Sequence, residues 1–227
     1  VAVVGVLYAV VLGFIVVTTW SAFDTAQQTA DVEAGYIGDA FGFASMLPEP
    51  RRTDMRKMLA AYAIEVRDRE WPMLREAKQD RRARAFLIGA VRALGEPVPK
   101  ASAGLDEALN RATTRMAIAE SLREISDNRR LRVIEASKTI EPSLALALVV
   151  GAVMVVAFVF LFGVDSWGLQ LGMTGIVAGC IGLLLGVVIV FSAPYSGPLR
   201  VTPDAWTYVI DNNNFTTLAA GVQPPGT

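Results

Sequence analysis

Apolar residues gather in three long runs, and between them apolar and polar positions alternate at helical spacing. The runs are VAVVGVLYAVVLGFIVVTTW (1–20), SLALALVVGAVMVVAFVFLFGV (143–164) and LGMTGIVAGCIGLLLGVVIVFS (171–192). A helix rises about 1.5 Å per residue, so about 20 apolar residues cross a hydrocarbon core. All three runs meet that length without a charge. Only Arg200 among the 21 basic residues lies outside Ser21–Pro142, and only Asp165, Asp204 and Asp211 among the 22 acidic ones. The pattern predicts an all-α membrane protein: a span at 1–20, a helical cytoplasmic domain at 21–142, spans at 143–164 and 171–192, and a cytoplasmic C-terminal tail at 193–227. A signal peptide is the poorer reading of the first run, which has no basic start and no small-residue cleavage site.

The middle stretch reads as helices. Ser21–Met46 contains no proline and continues the first span out of the bilayer, until Pro48 and Pro50 stop it. A second helix covers Arg51–Arg69, with Met55, Leu59, Tyr62 and Val66 on one side, and Glu70-Trp71-Pro72 breaks it. A third covers Arg81–Leu94, with Phe86, Leu87, Val91 and Leu94 as its apolar side. Gly95–Pro99 is a loop. Ser102 is placed to cap a long helix that runs to Glu141. In that helix Leu105, Leu109, Ala112, Met116 and Ala119 repeat at coiled-coil spacing, roughly continued by Leu122 and Ile125, as a packing face within the chain or between chains. No strand pattern appears before Val201, and Asp211-Asn212-Asn213-Asn214 reads as a helix stop.

The Gly163–Gln170 connection holds Asp165 and no basic residue, whereas Arg129, Arg130, Arg132 and Lys138 precede the second span. The positive-inside rule then places the middle domain and the tail in the cytoplasm. The Arg129–Arg132 group marks topology or meets anionic headgroups. Trp20, Trp167 and Trp206 stand at or beyond span ends, where indoles anchor to the interface. Gly5, Ala9 and Gly13 lie four apart in the first span. Gly175, Gly179, Gly182 and Gly186 make a helix-packing stripe in the third, and Ala147 and Gly151 a single pair in the second. Small residues at this spacing let membrane helices approach closely, within one chain or between chains.

Composition narrows the chemistry. Charged residues make up 19% of the chain, the net charge is −1 and the mean hydropathy is +0.42. No basic surface for nucleic acid follows from that balance. There is no histidine, which excludes imidazole catalysis and histidine metal sites. The single cysteine, Cys180, forms no intrachain disulfide and reads as a small apolar packing residue. No metal site and no cofactor motif is present: phosphate loop, dinucleotide fingerprint and nucleophile elbow are all missing. Glu65/Asp68 and Glu120/Glu124 stand among arginines and read as solvated ion pairs. The spans hold no Asp, Glu, Lys or Arg, which argues against a proton- or ion-coupled transporter but leaves a pore with a hydrophobic constriction open. An enzyme is not expected, and that reading would gain only if Glu70, Trp71 and Arg200 met in one cleft.

Four stretches carry a resemblance: GVLYAVVLGFIVV (5–17), Glu70-Trp71-Pro72, Leu161-Phe162-Gly163, and PYSGPLRVTP (194–203), the most specific of them. In order and spacing the chain resembles the bacterial bestrophin-like membrane family from Val1 to about Val209. The resemblance implies a further span upstream of Val1. It also implies likeness to bestrophins, pentameric anion channels with a helical cytoplasmic domain between paired spans. The chain departs from the family's LPxxLW-like approach to the penultimate span, carrying Ile140-Glu141-Pro142-Ser143-Leu144-Ala145 instead. It departs from bestrophins in having no acidic calcium clasp.

Two functions stay open at this point. The first is a homo-oligomeric, channel-like protein of the bacterial inner membrane, with Gly5, Ala9, Gly13, Phe14, Val17 and Thr18 lining or abutting a pore. The second is a non-conducting accessory or scaffold subunit of a larger membrane complex. In either case the partners are the lipid bilayer and either copies of itself or other membrane subunits.

Overall fold

The computed structural model describes residues 2–95, 105–138, 140–161 and 166–225. All regular structure in them is helical. The chain divides into two units, one of residues 1–25 and 138–201, the other of 26–137 and 202–227. Helix α1 (Ala2–Ala44) runs through both without interruption. It ends where the chain turns through Ser45–Leu47 toward Pro48 and Pro50, as the prolines predict.

The first unit holds the apolar helices. The N-terminal part of α1, α6 (Pro142–Leu161) and α7 (Trp167–Phe191) are each long and apolar enough to cross a membrane. Most of their side chains are uncovered, with Phe14 70%, Leu161 80% and Ile176 69% exposed. That is the reverse of a soluble core and suits contact with lipid. A small cluster of Leu12, Ile15, Leu148 and Val188 joins the three helices. Tyr8 donates its hydroxyl proton to the Leu148 carbonyl at 2.9 Å, and its ring lies against Gly151, where a Cβ would come within 2.6 Å of it. Trp20 and Phe23 meet Phe191 edge-on at 5.0 and 5.3 Å.

The third span begins earlier than the charge pattern suggests. Trp167–Gln170 is helical because Gln170, 7% exposed, turns inward and donates to the Val159 and Phe160 carbonyls at the end of α6. After α7 the PYSGPLRVTP stretch folds back on itself. Gly197 donates to the Ala193 carbonyl and Val201 to that of Pro194, both at 2.8 Å. A Cβ on Gly197 would stand 2.8 Å from the Ala193 oxygen and 3.2 and 3.3 Å from those of Val190 and Leu199. Three backbone oxygens cannot all withdraw, so the stretch requires glycine there.

The second unit has a conventional core. Helix α2 (Arg51–Glu65) packs against α4 (Arg81–Gly95) and against α9 (Phe215–Leu218), with α8 (Asp204–Asn212) beside it. The segment read as a tail is therefore part of the core: Trp206, Ile210 and Phe215 are completely buried. Asp211–Asn214 does stop α8, and Asn214 takes a left-handed conformation, φ 52°, which asparagine tolerates.

Several expectations are corrected. Glu70-Trp71-Pro72 does not break the helix. Residues Val66–Glu70 widen into a π turn, in which the Trp71 N–H bonds the Val66 carbonyl, and α3 (Trp71–Met73) carries Pro72 in its first turn, where no N–H is needed. In α4, Phe86 and Leu87 are buried but Val91 is 49% exposed. In α5 (Leu105–Ser137), which ends before Glu141, Leu109, Ala112, Met116 and Ala119 are exposed. The buried stripe of α5 is Ile118, Leu122, Ile125, Arg129 and Arg132. The side chain of Leu105, and Ser102 with the rest of the Gly95–Pro99 loop after Gly95, lie outside the described residues. Cys180 is exposed rather than packed.

Candidate functional site

Helix α1 presents one face at alternating steps of four and three: Ala26, Ala30, Glu33, Ile37, Ala40 and Ala44, all at most 1% exposed. Alanines keep this face shallow, so neighbouring helices approach closely. Glu33 interrupts it with a carboxylate, and an uncompensated carboxylate there would be costly. Its compensation comes from the buried stripe of α5. Arg132, completely buried, donates from Nε to Glu33 Oε2 at 2.7 Å and from Nη2 to Glu33 Oε1 at 3.3 Å and Glu70 Oε1 at 2.7 Å. Arg129 donates to both Glu70 oxygens, from Nε at 3.1 Å and from Nη2, and to the Asp80 carbonyl at 3.0 Å.

Neutral groups complete the cluster. Tyr62 donates to Glu33 at 2.6 Å, and the Asp80 backbone N–H donates to Glu70 at 3.0 Å. The Trp71 and Trp206 rings lie 5.3 and 5.9 Å from the Arg132 guanidinium carbon. Each acidic partner depends on local backbone structure. The π turn places Glu70 inward, toward Arg132, and the wide turn that accommodates Pro72 is the same one.

The electrostatics favour the charged forms of Glu70, Arg129 and Arg132. Burial alone would raise the Glu70 carboxyl, but Arg132, Arg129 and the Asp80 N–H outweigh it and hold it below its ordinary value. Burial likewise works against the charge on Arg132, and Glu33 and Glu70 reverse that and raise it above the ordinary arginine value. Burial and the neighbouring Glu33 carboxylate push the Tyr62 phenol well above 10.0. A carboxyl depressed in the folded state gives stability that is present above its unfolded value and is lost as pH falls through the folded one. The melting temperature of the protein in detergent is therefore expected to fall once the pH drops below about 4.5, the ordinary glutamate value. A melting temperature flat from pH 6 to 3 would contradict it.

Chemically this cluster joins helices. Its groups are closed to solvent, arginine keeps its proton and both carboxylates are neutralised. Among the described residues no group of three or more potential ligands could hold a metal ion. Glu70 and Trp71 do meet, but at Arg132; Arg200 is exposed and belongs to the other unit. Arg129 and Arg132 are buried rather than surface markers, whereas Arg130 is exposed and paired with Asp127 at 3.1 Å. Glu120 and Glu124 pair with Arg123 on the surface, as expected.

In the membrane unit, Ala9, Gly13, Phe14, Val17 and Thr18 are exposed and Gly5 is half-buried. Nothing lies within 4 Å of where a Cβ would stand on Gly5 or Gly13, nor on Gly175, Gly179, Gly182 or Gly186. Thr18 gives its hydroxyl proton to the Ile15 carbonyl at 3.0 Å. Of the small-residue pairs, the one filled within the chain is Ala147/Gly151, through Tyr8.

Compared with known families, residues 1–206 match the bestrophin-like domain. The chain belongs to the bestrophin-like family. No curated protein and no solved structure matches it. Within the matched span lie all three apolar helices of this bestrophin-like protein and all four members of its ion cluster, Glu33, Glu70, Arg129 and Arg132. The match ends at Trp206, inside α8, so part of the core lies beyond it.

Proposed function

We propose that this bestrophin-like protein is an oligomeric anion channel of the bacterial inner membrane. The observation that carries the reading is family membership over residues 1–206, together with three helices long and apolar enough to cross a membrane. The unfilled glycine stripes support association between copies, because close packing of small residues is what draws membrane helices together. By the positive-inside rule, the basic residues support a cytoplasmic position for the unit of 26–137 and 202–227. The first span lines or abuts the pore, with Gly5, Ala9, Gly13, Phe14, Val17 and Thr18 on its open side. With the Thr18 proton committed to its own helix, backbone amides and helix dipoles attract the anion.

The test is iodide or chloride flux into liposomes holding the purified protein. Flux is expected from the wild type, and Gly13→Phe or Thr18→Trp is expected to reduce it at least tenfold. Flux unchanged by both substitutions would remove the pore assignment. The second reading, a non-conducting accessory subunit, draws on the exposed Leu109, Ala112, Met116 and Ala119 face of α5. It predicts no flux and a native particle containing unlike chains, where the channel reading predicts a closed ring of identical ones.

A further inference from the structure

A cleft of about 640 Å³ opens between α4 and α5 and reaches in to the buried Leu87 and Arg129. Its volume is that of ordinary small-molecule sites, about 300–1,000 Å³. Four arginines line it, Arg84 and Arg92 from α4 and Arg129 and Arg130 from α5, and no lining residue is acidic. In a chain with 21 basic and 22 acidic residues that segregation is not the average composition.

The arginines differ in how free they are. Arg84 and Arg92 form no ion pair with any described residue. Arg130 is paired with Asp127 on the surface, its side chain 69% exposed, an interaction worth about 0–1 kcal/mol and readily exchanged. Arg129 is anchored: its Nε and Nη2 serve Glu70 and the Asp80 carbonyl, and Nη1 takes no part in those bonds. Arg84, Ile88 and Arg92 follow one another at intervals of four on α4, so these two arginines stand on one face about two turns apart. Between them Leu87, Ile88 and Val91 form an apolar floor.

Two guanidiniums with no ion pair among the described residues, beside a third held only by a surface pair, suit a multiply charged oxyanion, above all phosphate, which arginine grips through two parallel N–H bonds. A bare phosphate would leave the apolar floor in water. We infer that the α4/α5 cleft binds a phosphate-bearing ligand with an attached apolar moiety, the phosphate held by Arg84, Arg92 and Arg130 and the apolar part laid on Leu87, Ile88 and Val91. The inference does not depend on whether the protein conducts. Two sources share this chemistry, a soluble nucleotide and a phospholipid headgroup with the start of its chains.

The experiment is titration calorimetry on the full chain in detergent, with inorganic pyrophosphate, ADP and dihexanoyl phosphatidic acid at fixed ionic strength. ADP or the phosphatidic acid is expected to bind saturably, about tenfold or more tighter than pyrophosphate, and the tighter of the two names the source. Arg84→Gln with Arg92→Gln is expected to weaken that binding about tenfold or more, and Val91→Asp, an exposed position, to abolish it. Unchanged circular dichroism assures the fold of both variants. No saturable binding of ADP or phosphatidic acid below about 1 mM overturns the inference. So does binding that survives both variants, or pyrophosphate binding as tightly as either organic ligand.

Discussion

Replacing Arg132 with methionine is expected to lower the stability of the unit of 26–137 and 202–227 by about 3–5 kcal/mol, the cost of leaving a buried charge without its partner. Two carboxylates lose compensation at once. Glu33 keeps only the Tyr62 hydroxyl among the bonds described for it, and Glu70 keeps Arg129 and the Asp80 N–H. For a unit of this size the melting temperature should fall on the order of 10 °C. Trp71 and Trp206, both beside Arg132, give a fluorescence signal from the affected site. The variant should also respond less to acid. With Arg132 gone, burial at Glu70 is opposed only by Arg129 and the Asp80 N–H, so its carboxyl is depressed less and the loss of stability in acid should be smaller than in the wild type. A variant that melts within 2 °C of wild type would mean the cluster contributes nothing net.

The second large effect lies beyond the family match. Phe215 is completely buried, its ring 4.6 Å from that of Phe41, and the Arg56 guanidinium caps Phe41 on its own ring at 4.2 Å. Phe215→Ala is expected to cost about 3–5 kcal/mol, the sum of lost burial and an unfilled cavity. Thr216→Ala, at the next and exposed position, should stay within about 0.5 kcal/mol. A chain shortened to residue 206 would lose Ile210 and Phe215 together and should melt lower than Phe215→Ala. If the shortened chain melted like the full one, the α8–α9 segment would not belong to the folding unit.

The membrane helices were legible because hydrocarbon imposes a single requirement, an uncharged run of fixed length, and the sequence satisfies it three times. The helices of the other unit were legible from prolines and apolar spacing, but their faces were less so. Leu109, Ala112, Met116 and Ala119 have coiled-coil spacing yet stay exposed, while Ile118, Leu122 and Ile125 take the buried side. Continuing the latter stripe by four and then three gives Arg129 and Arg132. Charge on an apolar stripe was the available signal of the ion cluster. It was obscured because Arg130 and Lys138 nearby suggested a surface function for the whole basic group. Glu33 was visible in the same way, as the one charge on an alanine face. That Glu70 meets both arginines was not readable, because it depends on a π turn, which adds a residue to one helical turn without leaving a periodic trace.

The ion cluster also has a consequence at long range. Glu33, Glu70, Arg129 and Arg132 carry two charges of each sign within hydrogen-bond distance, so their fields cancel. Beyond about 8 Å, the screening distance in physiological salt, little of their potential survives. The most heavily charged part of the core is therefore nearly silent to charged groups elsewhere on the molecule. Changes that keep its charges balanced can alter how firmly the helices hold together without altering the potential at the protein surface, so stability and surface electrostatics are set by separate groups of residues.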